Sequence, residues 1–242
     1  MKRLMTLLAG TALAIASAAP VSAQTDKPWS VSFDAGAQLA LSGNAHGGAT
    51  GRVLGLATTV TEKSYGDVFG PGFYWQLGVG YKVRPNGELR VAANYTSNNA
   101  DRLQVGNVAG LQLNAAFHNY KALGVDFGYR QYYGNGKLRP YAGANVGFTR
   151  VSGIDATLTV PAASVTLNDV PFYSDSTVPS FGFGGGAQVN LSDMLAFQAG
   201  VDFRWHGDLK QNEGLAGTGL ESINDDSKRW ALPVMAGLTV RF

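Results

Sequence analysis

The stretch FYWQLGVGYKVR, residues 73–84, decides the fold. Its odd-numbered positions are aromatic or branched apolar residues, whereas its even-numbered positions are mostly glycine, polar or charged. Because side chains of a strand point alternately to opposite faces, this pattern predicts a strand with one apolar face. The same alternation recurs in seven further segments: 29–39, 89–96, 123–130, 141–148, 181–190, 195–205 and 230–242. Period two, and not a helical period, dominates the chain.

The predicted strands are about ten residues long, close to the 9 to 11 residues that a tilted strand needs to cross a bilayer. Their connections alternate in length. Short, turn-forming sequences lie at 85–87, 134–136 and 192–193, and long connections at 42–72, 97–119, 151–179 and 207–229. Short turns on one rim and long loops on the other are typical of outer-membrane barrels. The sequence therefore predicts an all-β fold, an eight-stranded antiparallel up-and-down transmembrane β-barrel, with both termini on the periplasmic rim.

The bulky face of these strands is assigned to lipid and the glycine-rich face to the barrel interior. A secreted lipocalin-like barrel would alternate in the same way, but eight strands enclose space only for side chains or one small ligand. The bulky face carries too many large residues to fit inside. Aromatic residues at strand ends would form the two interfacial girdles: Trp29, Phe73, Trp75, Tyr95, Tyr129, Trp205, Trp230 and Phe242.

The composition agrees with an exported membrane protein. Of 242 residues only 15% are charged, 32 are glycine and none is cysteine. Residues 1–23 are predicted to be a cleaved signal peptide, because Lys2 and Arg3 precede an apolar run that ends in small residues at 21–23. The barrel domain would then be residues 24–242. Its basic and acidic residues are equal in number, and no nucleic-acid partner is expected.

Charged residues of both signs lie on the inward face. An unpaired charge inside a narrow barrel is costly, so these residues are expected to pair with each other and to plug the interior. The alternative is an ion path or proton relay. The predicted interior polar network consists of Asp34, Lys82, Arg90, Asp126, Arg130, Asp202 and Arg204.

The C-terminal sequence GLTVRF, residues 237–242, resembles the signal by which outer-membrane barrels are recognised by their assembly machinery. Gly237, Val240 and the terminal Phe242 carry this resemblance. With the strand opening RPYAGANVGF at 139–148, the chain resembles the small bacterial outer-membrane β-barrel proteins of the OmpA/OmpX/opacity-type superfamily. The resemblance implies a monomer in the outer membrane of a Gram-negative cell, with membrane lipid and the assembly machinery as partners. That superfamily includes adhesins, immune-evasion proteins, structural barrels and a few enzymes.

Catalytic chemistry is sought among three histidines, His46, His118 and His206. His206 with Asp208 is the best candidate pair, and an exposed rim histidine is the simpler interpretation. No catalytic residue, cofactor or metal site is therefore assigned, because the chain lacks cysteine and a closely spaced histidine pair. The sequence Asn224-Asp225-Asp226 is interpreted as a solvated loop tip.

The long loops are where function is expected. Alternating polarity continues through 157–160 and 165–167, which predicts a hairpin outside the membrane that binds a partner at its edge or shields the barrel mouth. Three functions follow. The first is a non-enzymatic, mostly plugged barrel whose loops serve envelope integrity or surface interaction with an extracellular ligand. The second is a transport protein, either a narrow porin-like channel or a conduit for small hydrophobic molecules, and the third is a rim hydrolase acting on lipid A.

Overall fold

The computed structural model describes residues 27–53, 55–211 and 217–242. The predicted signal peptide lies outside the described residues. The described residues form one short helix, α1 (Tyr65–Val68), two 3₁₀ turns (Pro161–Ala163 and Glu221–Asn224) and fifteen strands. None of the helices described is long and apolar enough to span a membrane. The strands are β1 (Trp29–His46), β2 (Ala49–Val53), β3 (Leu56–Val60), β4 (Lys63–Ser64), β5 (Phe69–Arg84), β6 (Gly87–Ala100), β7 (Arg102–Val108), β8 (Leu111–Phe117), β9 (Tyr120–Tyr132), β10 (Leu138–Val151), β11 (Ile154–Val160), β12 (Val165–Tyr173), β13 (Ser176–Asn190), β14 (Leu195–His206) and β15 (Arg229–Arg241).

Eight of the strands close into a barrel. Their order is β15-β14-β13-β10-β9-β6-β5-β1, and β1 pairs with β15 to complete the ring. Every neighbouring pair is antiparallel. Closure satisfies the backbone groups that an open edge would expose to hydrocarbon. The predicted eight-stranded up-and-down barrel is confirmed.

The bulky face of the barrel points outward, as predicted. Phe127 and Phe148 are 56% and 64% exposed, whereas their chain neighbours Asp126 and Thr149 are 2% and 1% exposed. Glycine is required where the interior is crowded. A Cβ atom on Gly237 would overlap the carbonyl oxygen of Phe33 on the adjoining strand. The alternation in sequence therefore separates a lipid face from a tightly packed polar interior.

The long connections form a second sheet beyond the barrel. It has six strands in the order β12-β11-β8-β7-β3-β2, all neighbours being antiparallel. Only its β11–β12 hairpin was expected from the sequence; the segments 49–60 and 102–117 were interpreted as loop. The predicted loop 42–72 is also too long at its start, because β1 continues to His46 and pairs there with β4. We call this second sheet the outer sheet.

Candidate functional site

An ion pair crosses the middle of the barrel. Arg204 Nη2 on β14 lies 2.6 Å from Asp126 Oδ2 on β9, and the two side chains are 1% and 3% exposed. Asn94 donates a second hydrogen bond to the same carboxylate oxygen at 2.6 Å. Arg204 also donates to the hydroxyl of Tyr74 at 3.2 Å. Residues from four strands therefore meet at one point on the barrel axis.

A second polar group lies beside this ion pair. Arg90 Nη2 is 3.1 Å from Asp34 Oδ2, and Gln198 donates to the other Asp34 oxygen at 2.6 Å. Gln198 in turn accepts a hydrogen bond from Arg130 at 2.9 Å. The guanidinium carbon of Arg130 lies 4.1 Å from the centre of the Tyr141 ring. These contacts join five strands across the interior and give both carboxylate oxygens of Asp34 a partner.

Two small voids lie among the interior side chains of the described residues. One void of about 50 Å³ is bordered by Asp126, Arg130 and Asp202, and a second of about 20 Å³ lies nearer the long-loop rim. A void needs about 10 to 15 Å³ of space for the centre of a water-sized sphere to hold one water. Both voids are therefore large enough for isolated waters.

A layer of aromatic and basic side chains closes the barrel at its long-loop rim. Arg229 Nε donates to the Tyr120 hydroxyl at 3.1 Å, and its guanidinium lies 5.5 Å from the centre of the Tyr65 ring. Burial raises the pKa of Tyr65, on α1, well above its usual range. His206 is buried in the same layer.

An apolar cavity of about 520 Å³ lies above this layer, inside the outer sheet. We call it the cup. All six strands of the outer sheet and residues 218–223 line it, and among the described lining residues only His46, Thr58 and Thr218 carry polar side chains. Among the described residues, the cup is lined by His46, Val53, Leu56, Thr58, Val60, Val105, Val108, Ala109, Leu111, Leu113, Ala115, Phe117, Ala156, Leu158, Val160, Ala163, Val165, Leu167, Val170, Pro171, Phe172, Thr218, Leu220 and Ile223.

The cup has a mouth at the hairpin tips and a floor at the barrel. Leu56, Leu111 and Val165 follow the three tips, and they are 50%, 40% and 47% exposed. At the opposite ends of the same hairpins, Phe117 and Phe172 are buried, with ring centres 5.3 Å apart. The cup therefore opens away from the membrane and ends on the aromatic layer below.

Residues of the last long connection, between β14 and β15, contact both edge strands of the outer sheet. Arg52 N on edge strand β2 donates to the carbonyl oxygen of Thr218 at 2.7 Å. On the other edge strand, β12, Tyr173 forms an isolated bridge with Gln211. Burial raises the pKa of Tyr173, whose hydroxyl donates to the Ala45 carbonyl oxygen at 2.9 Å. Each edge strand of the outer sheet therefore has a backbone contact with the last long connection.

His46 is the polar residue at the floor of the cup. Its Nδ1 lies 3.0 Å from the carbonyl oxygen of Gly47, which can only accept a hydrogen bond, so Nδ1 carries the proton. Its Nε2 is buried and has no hydrogen-bond partner among the described residues. Burial lowers the pKa of His46, which keeps the ring neutral. His46 Nε2 is therefore an acceptor enclosed within the floor of the cup, against the rings of Phe117 and Phe172.

The sequence comparison agrees with this architecture. Residues 8–221 match the family of outer membrane protein β-barrel domains. The chain is an outer membrane β-barrel protein. Membership of this family places the barrel protein in the outer membrane. Among curated proteins, none matches its sequence.

Several solved structures of low sequence identity are similar to the barrel protein. Neisserial surface protein A is 16% identical, with 88% of this chain and 97% of that chain covered and a TM-score of 0.45. A major outer membrane protein from Thermus thermophilus is 14% identical, with 88% and 99% covered and a TM-score of 0.47. The outer membrane protease OmpT from Escherichia coli is 8% identical, with 94% and 99% covered and a TM-score of 0.44. Identities this low say nothing about shared activity.

Five of the seven predicted interior residues of the barrel protein meet in the two polar groups described above. Asp202 is inward and borders the 50 Å³ void, without a hydrogen bond or ion pair to the other described residues. Lys82 lies apart from the network, at the short-turn rim, opposite Glu88 in the β5–β6 register. Glu88 was missed by sequence reasoning; it accepts hydrogen bonds from Ser30 at 2.7 Å and Tyr132 at 2.8 Å.

The candidate catalytic pair of the barrel protein is not assembled. Asp208 accepts a hydrogen bond from Ser227 N at 2.9 Å and lies 3.4 Å from Lys228 Nζ. His206 Nδ1 is buried without a partner among the described residues, so His206 is not the exposed rim histidine of the simpler interpretation either. His118 is exposed, 3.3 Å from Asp169. No group of three or more metal-ligating side chains is found in the described part of the chain.

The Asn224-Asp225-Asp226 sequence was interpreted as a solvated tip, and this is wrong for Asn224. Its side chain is buried and donates to the Phe172 carbonyl oxygen at 2.8 Å, which fixes the last connection against the cup. The cup itself was not predicted. A usable signal was the alternation of Leu111, Leu113, Ala115 and Phe117 with the residues between them, inside a segment that was interpreted as loop.

Proposed function

We propose that this protein is a non-enzymatic surface-binding protein of the outer membrane, in which a plugged barrel carries the cup as its interaction site. The observation that carries the proposal is the assembly of separate long connections into one six-stranded sheet around an apolar cavity. Loops that only shield a barrel mouth do not require such an assembly. Binding sites for small molecules have volumes of about 300 to 1,000 Å³ and mostly apolar walls.

The polar interior supports a barrel that does not conduct ions. The pair of Arg204 with Asp126 and the pair of Arg90 with Asp34 occupy the cross-section at neighbouring levels. Breaking a buried ion pair is strongly unfavourable, at about 3 to 5 kcal/mol. An ion passing along the axis would have to separate these partners.

The disposition of His206 and Asp208 supports a non-enzymatic role. A general base needs to lie within hydrogen-bond reach of its partner and of the reacting group. Asp208 is engaged with Ser227 and Lys228, on the connection that leads into β15. The predicted rim hydrolase therefore lacks its orienting carboxylate.

We place the short turns and both termini in the periplasm and the cup outside the cell. The strand β15 then presents the assembly signal from the periplasmic side, where the assembly machinery would engage Gly237, Val240 and Phe242. Val240 and Phe242 are 42% and 55% exposed on the lipid face, which suits such recognition. The protein would act as a monomer surrounded by outer-membrane lipid.

Planar-bilayer recording of the refolded protein tests the proposal. Insertion is verified by heat-modifiable migration on a detergent gel, and the expected record has no stepwise currents. Stable unitary currents would refute the plugged barrel. Unaltered lipid A on expression of wild type and of His206→Ala is expected, and a modified lipid A that disappears in His206→Ala would establish the hydrolase.

The cup also favours a second candidate, a conduit for small hydrophobic molecules. In that case expression would accelerate entry of 1-N-phenylnaphthylamine into cells, and a variant that fills the cup would abolish the effect. The aromatic layer beneath the cup argues against passage, so we expect wild-type expression to leave the entry rate unchanged.

A further inference from the structure

A polar cavity of about 150 Å³ lies at the short-turn rim, at the opposite end of the barrel from the cup. We call it the rim pocket. Pro85 and Asn135, on two of the short turns, border it and are exposed, whereas Tyr132 and Gln188 border it and are buried. The rim pocket is therefore open to solvent at the turns and closed toward the barrel interior.

Positive charge dominates the wall of the rim pocket. Four basic side chains line it, each of them half-buried: Lys27, Lys82, Arg139 and Arg241. None of the four forms an ion pair with another described residue. Glu88 is the only acid among the described lining residues, and its two oxygens accept hydrogen bonds from the hydroxyls of Ser30 and Tyr132. The wall therefore carries three more positive than negative charges.

The hydrogen bonds of the two arginines leave their charges uncompensated, because every partner is neutral. Arg139 Nη2 donates to Asn86 Oδ1 at 3.0 Å. Arg241 Nη2 donates to the side-chain oxygens of Gln188 and Asn190, which holds its guanidinium group at the pocket wall.

Several donors of the rim pocket are free to meet a ligand. Both side-chain hydrogen bonds of Arg241 to described residues use Nη2, which leaves Nε and Nη1 for another acceptor. The ammonium groups of Lys27 and Lys82 have no hydrogen-bond partner among the described residues, and neither is an enclosed atom. Accessible donors therefore come from β15, from β5 and from the segment before β1.

The charge and the size of the rim pocket together define its ligand. A cleft lined by one sign of charge attracts counter-ions, and its low-dielectric walls focus the field. Arginine and lysine side chains form strong, charge-assisted hydrogen bonds with phosphate oxygens. A phosphate monoester carries a charge of about −1.5 to −2 at neutral pH, which matches the excess of positive charge better than one carboxylate does. We propose that the rim pocket binds a phosphate group.

Two sources carry this phosphate chemistry on the side where we place the short turns. One is soluble phosphate or a small phosphate ester of the periplasm, and the other is the headgroup of a phospholipid in the adjoining leaflet. The cavity accommodates the phosphate of either, since each water-sized group needs about 10 to 15 Å³ of it. The rim pocket does not depend on the cup, so its test is independent of the proposed surface-binding function.

Calorimetric titration of inorganic phosphate into the refolded protein, in phosphatidylcholine nanodiscs at constant ionic strength, tests the rim pocket. Saturable binding is expected. Lys82→Gln and Arg241→Gln should each raise the Kd about 10-fold, because each removes a charged donor from the wall. Lys137→Gln and Arg84→Gln are the matched controls, since both residues are exposed at the same rim and lie outside the pocket lining. Salt screens such distant charges, so the controls should change the Kd by less than about 2-fold.

Glu88→Gln tests the charge argument in the opposite direction. It removes the acid from the wall, so phosphate should bind about 3-fold more tightly. A variant that only perturbs the fold would not gain affinity, and heat-modifiable migration verifies the folding of every variant. Weaker or unchanged binding in Glu88→Gln would contradict the assigned role of charge.

Three results would overturn the rim pocket as a phosphate site. The first is no saturable binding below about 10 mM inorganic phosphate. The second is equal weakening by the pocket variants and the control variants. The third is binding that appears only in Asp26→Asn, because the carboxylate next to Lys27 in the sequence would then be the occupant.

Native mass spectrometry of protein released from nanodiscs that contain phosphatidylglycerol distinguishes the two sources. A phospholipid retained by the wild type and lost in Arg241→Gln identifies the headgroup as the ligand. Protein released without lipid identifies soluble phosphate. Either result, beside saturable phosphate binding, supports the rim pocket.

Discussion

Arg204→Met removes the guanidinium from the Asp126 carboxylate on the barrel axis. The two charged groups are 2.6 Å apart and 1% and 3% exposed, so the carboxylate left behind is not solvated by bulk water. Removing one partner of such a pair destabilises a protein by about 3 to 5 kcal/mol, because an uncompensated charge stays buried. Asn94 keeps its hydrogen bond to Asp126 and offsets part of this loss. We expect Arg204→Met to lower the free energy of unfolding by about 3 kcal/mol.

Urea unfolding in phospholipid vesicles, followed by tryptophan fluorescence, measures this change. The double variant Arg204→Met/Asp126→Leu is the decisive comparison, since replacing both charges by apolar groups is often neutral or stabilising. Arg150→Met is the matched control, because Arg150 lies 3.6 Å from Asp175 with side chains 71% and 63% exposed. An exposed pair of this kind contributes about 0 to 1 kcal/mol. A loss below about 1 kcal/mol in Arg204→Met, or a double variant no more stable than the single one, would refute the buried-pair argument.

Three further predictions follow from other parts of the chain. The pKa of His46 is lowered by burial, so protonation favours the unfolded state, and resistance of the outer sheet to proteolysis should decline as the pH falls below 6.5 but not in His46→Phe. Gly237→Ala should slow refolding and lower stability, measured by urea unfolding, because its Cβ would overlap the Phe33 carbonyl oxygen; wild-type stability would contradict the crowding. Deletion of Phe242 should reduce the amount of protein in the outer-membrane fraction far more than it changes refolding in vesicles, and equal losses would argue against an assembly signal.

The barrel was predictable because lipid imposes one requirement on every strand. Each lipid-facing position must be apolar, so residues such as Leu77 and Val79 identify the strand even when the neighbouring strands are not known. Which inward residues meet was not predictable to the same degree. Asp126 and Arg204 lie on β9 and β14, which are not neighbouring strands, and their contact depends on the stagger of strands around the closed ring.

The cup was missed for a different reason. Apolar alternation in 111–117 is visible in the sequence, but the partner of β8 is β11, about forty residues later and across two barrel strands. No turn signal connects them, and the pairing exists because the barrel holds the ends of separate connections close together. Lys82 shows the same limit, since alternation gives the face of a strand but not the height along the barrel, and the structure places Lys82 at the short-turn rim, away from the network.

The contacts of the last long connection with both edge strands of the outer sheet affect the order in which the parts of the chain assemble. The residues that meet β2 and β12, Thr218 and Gln211, belong to the connection between β14 and β15. This connection is the last long one in the chain, and it ends at β15, the strand that pairs with β1 to close the ring. Residues 218–223 of the same connection line the cup. Until this connection has folded against the outer sheet, that part of the wall is missing, so under the proposed function the cup is complete only in the fully assembled chain.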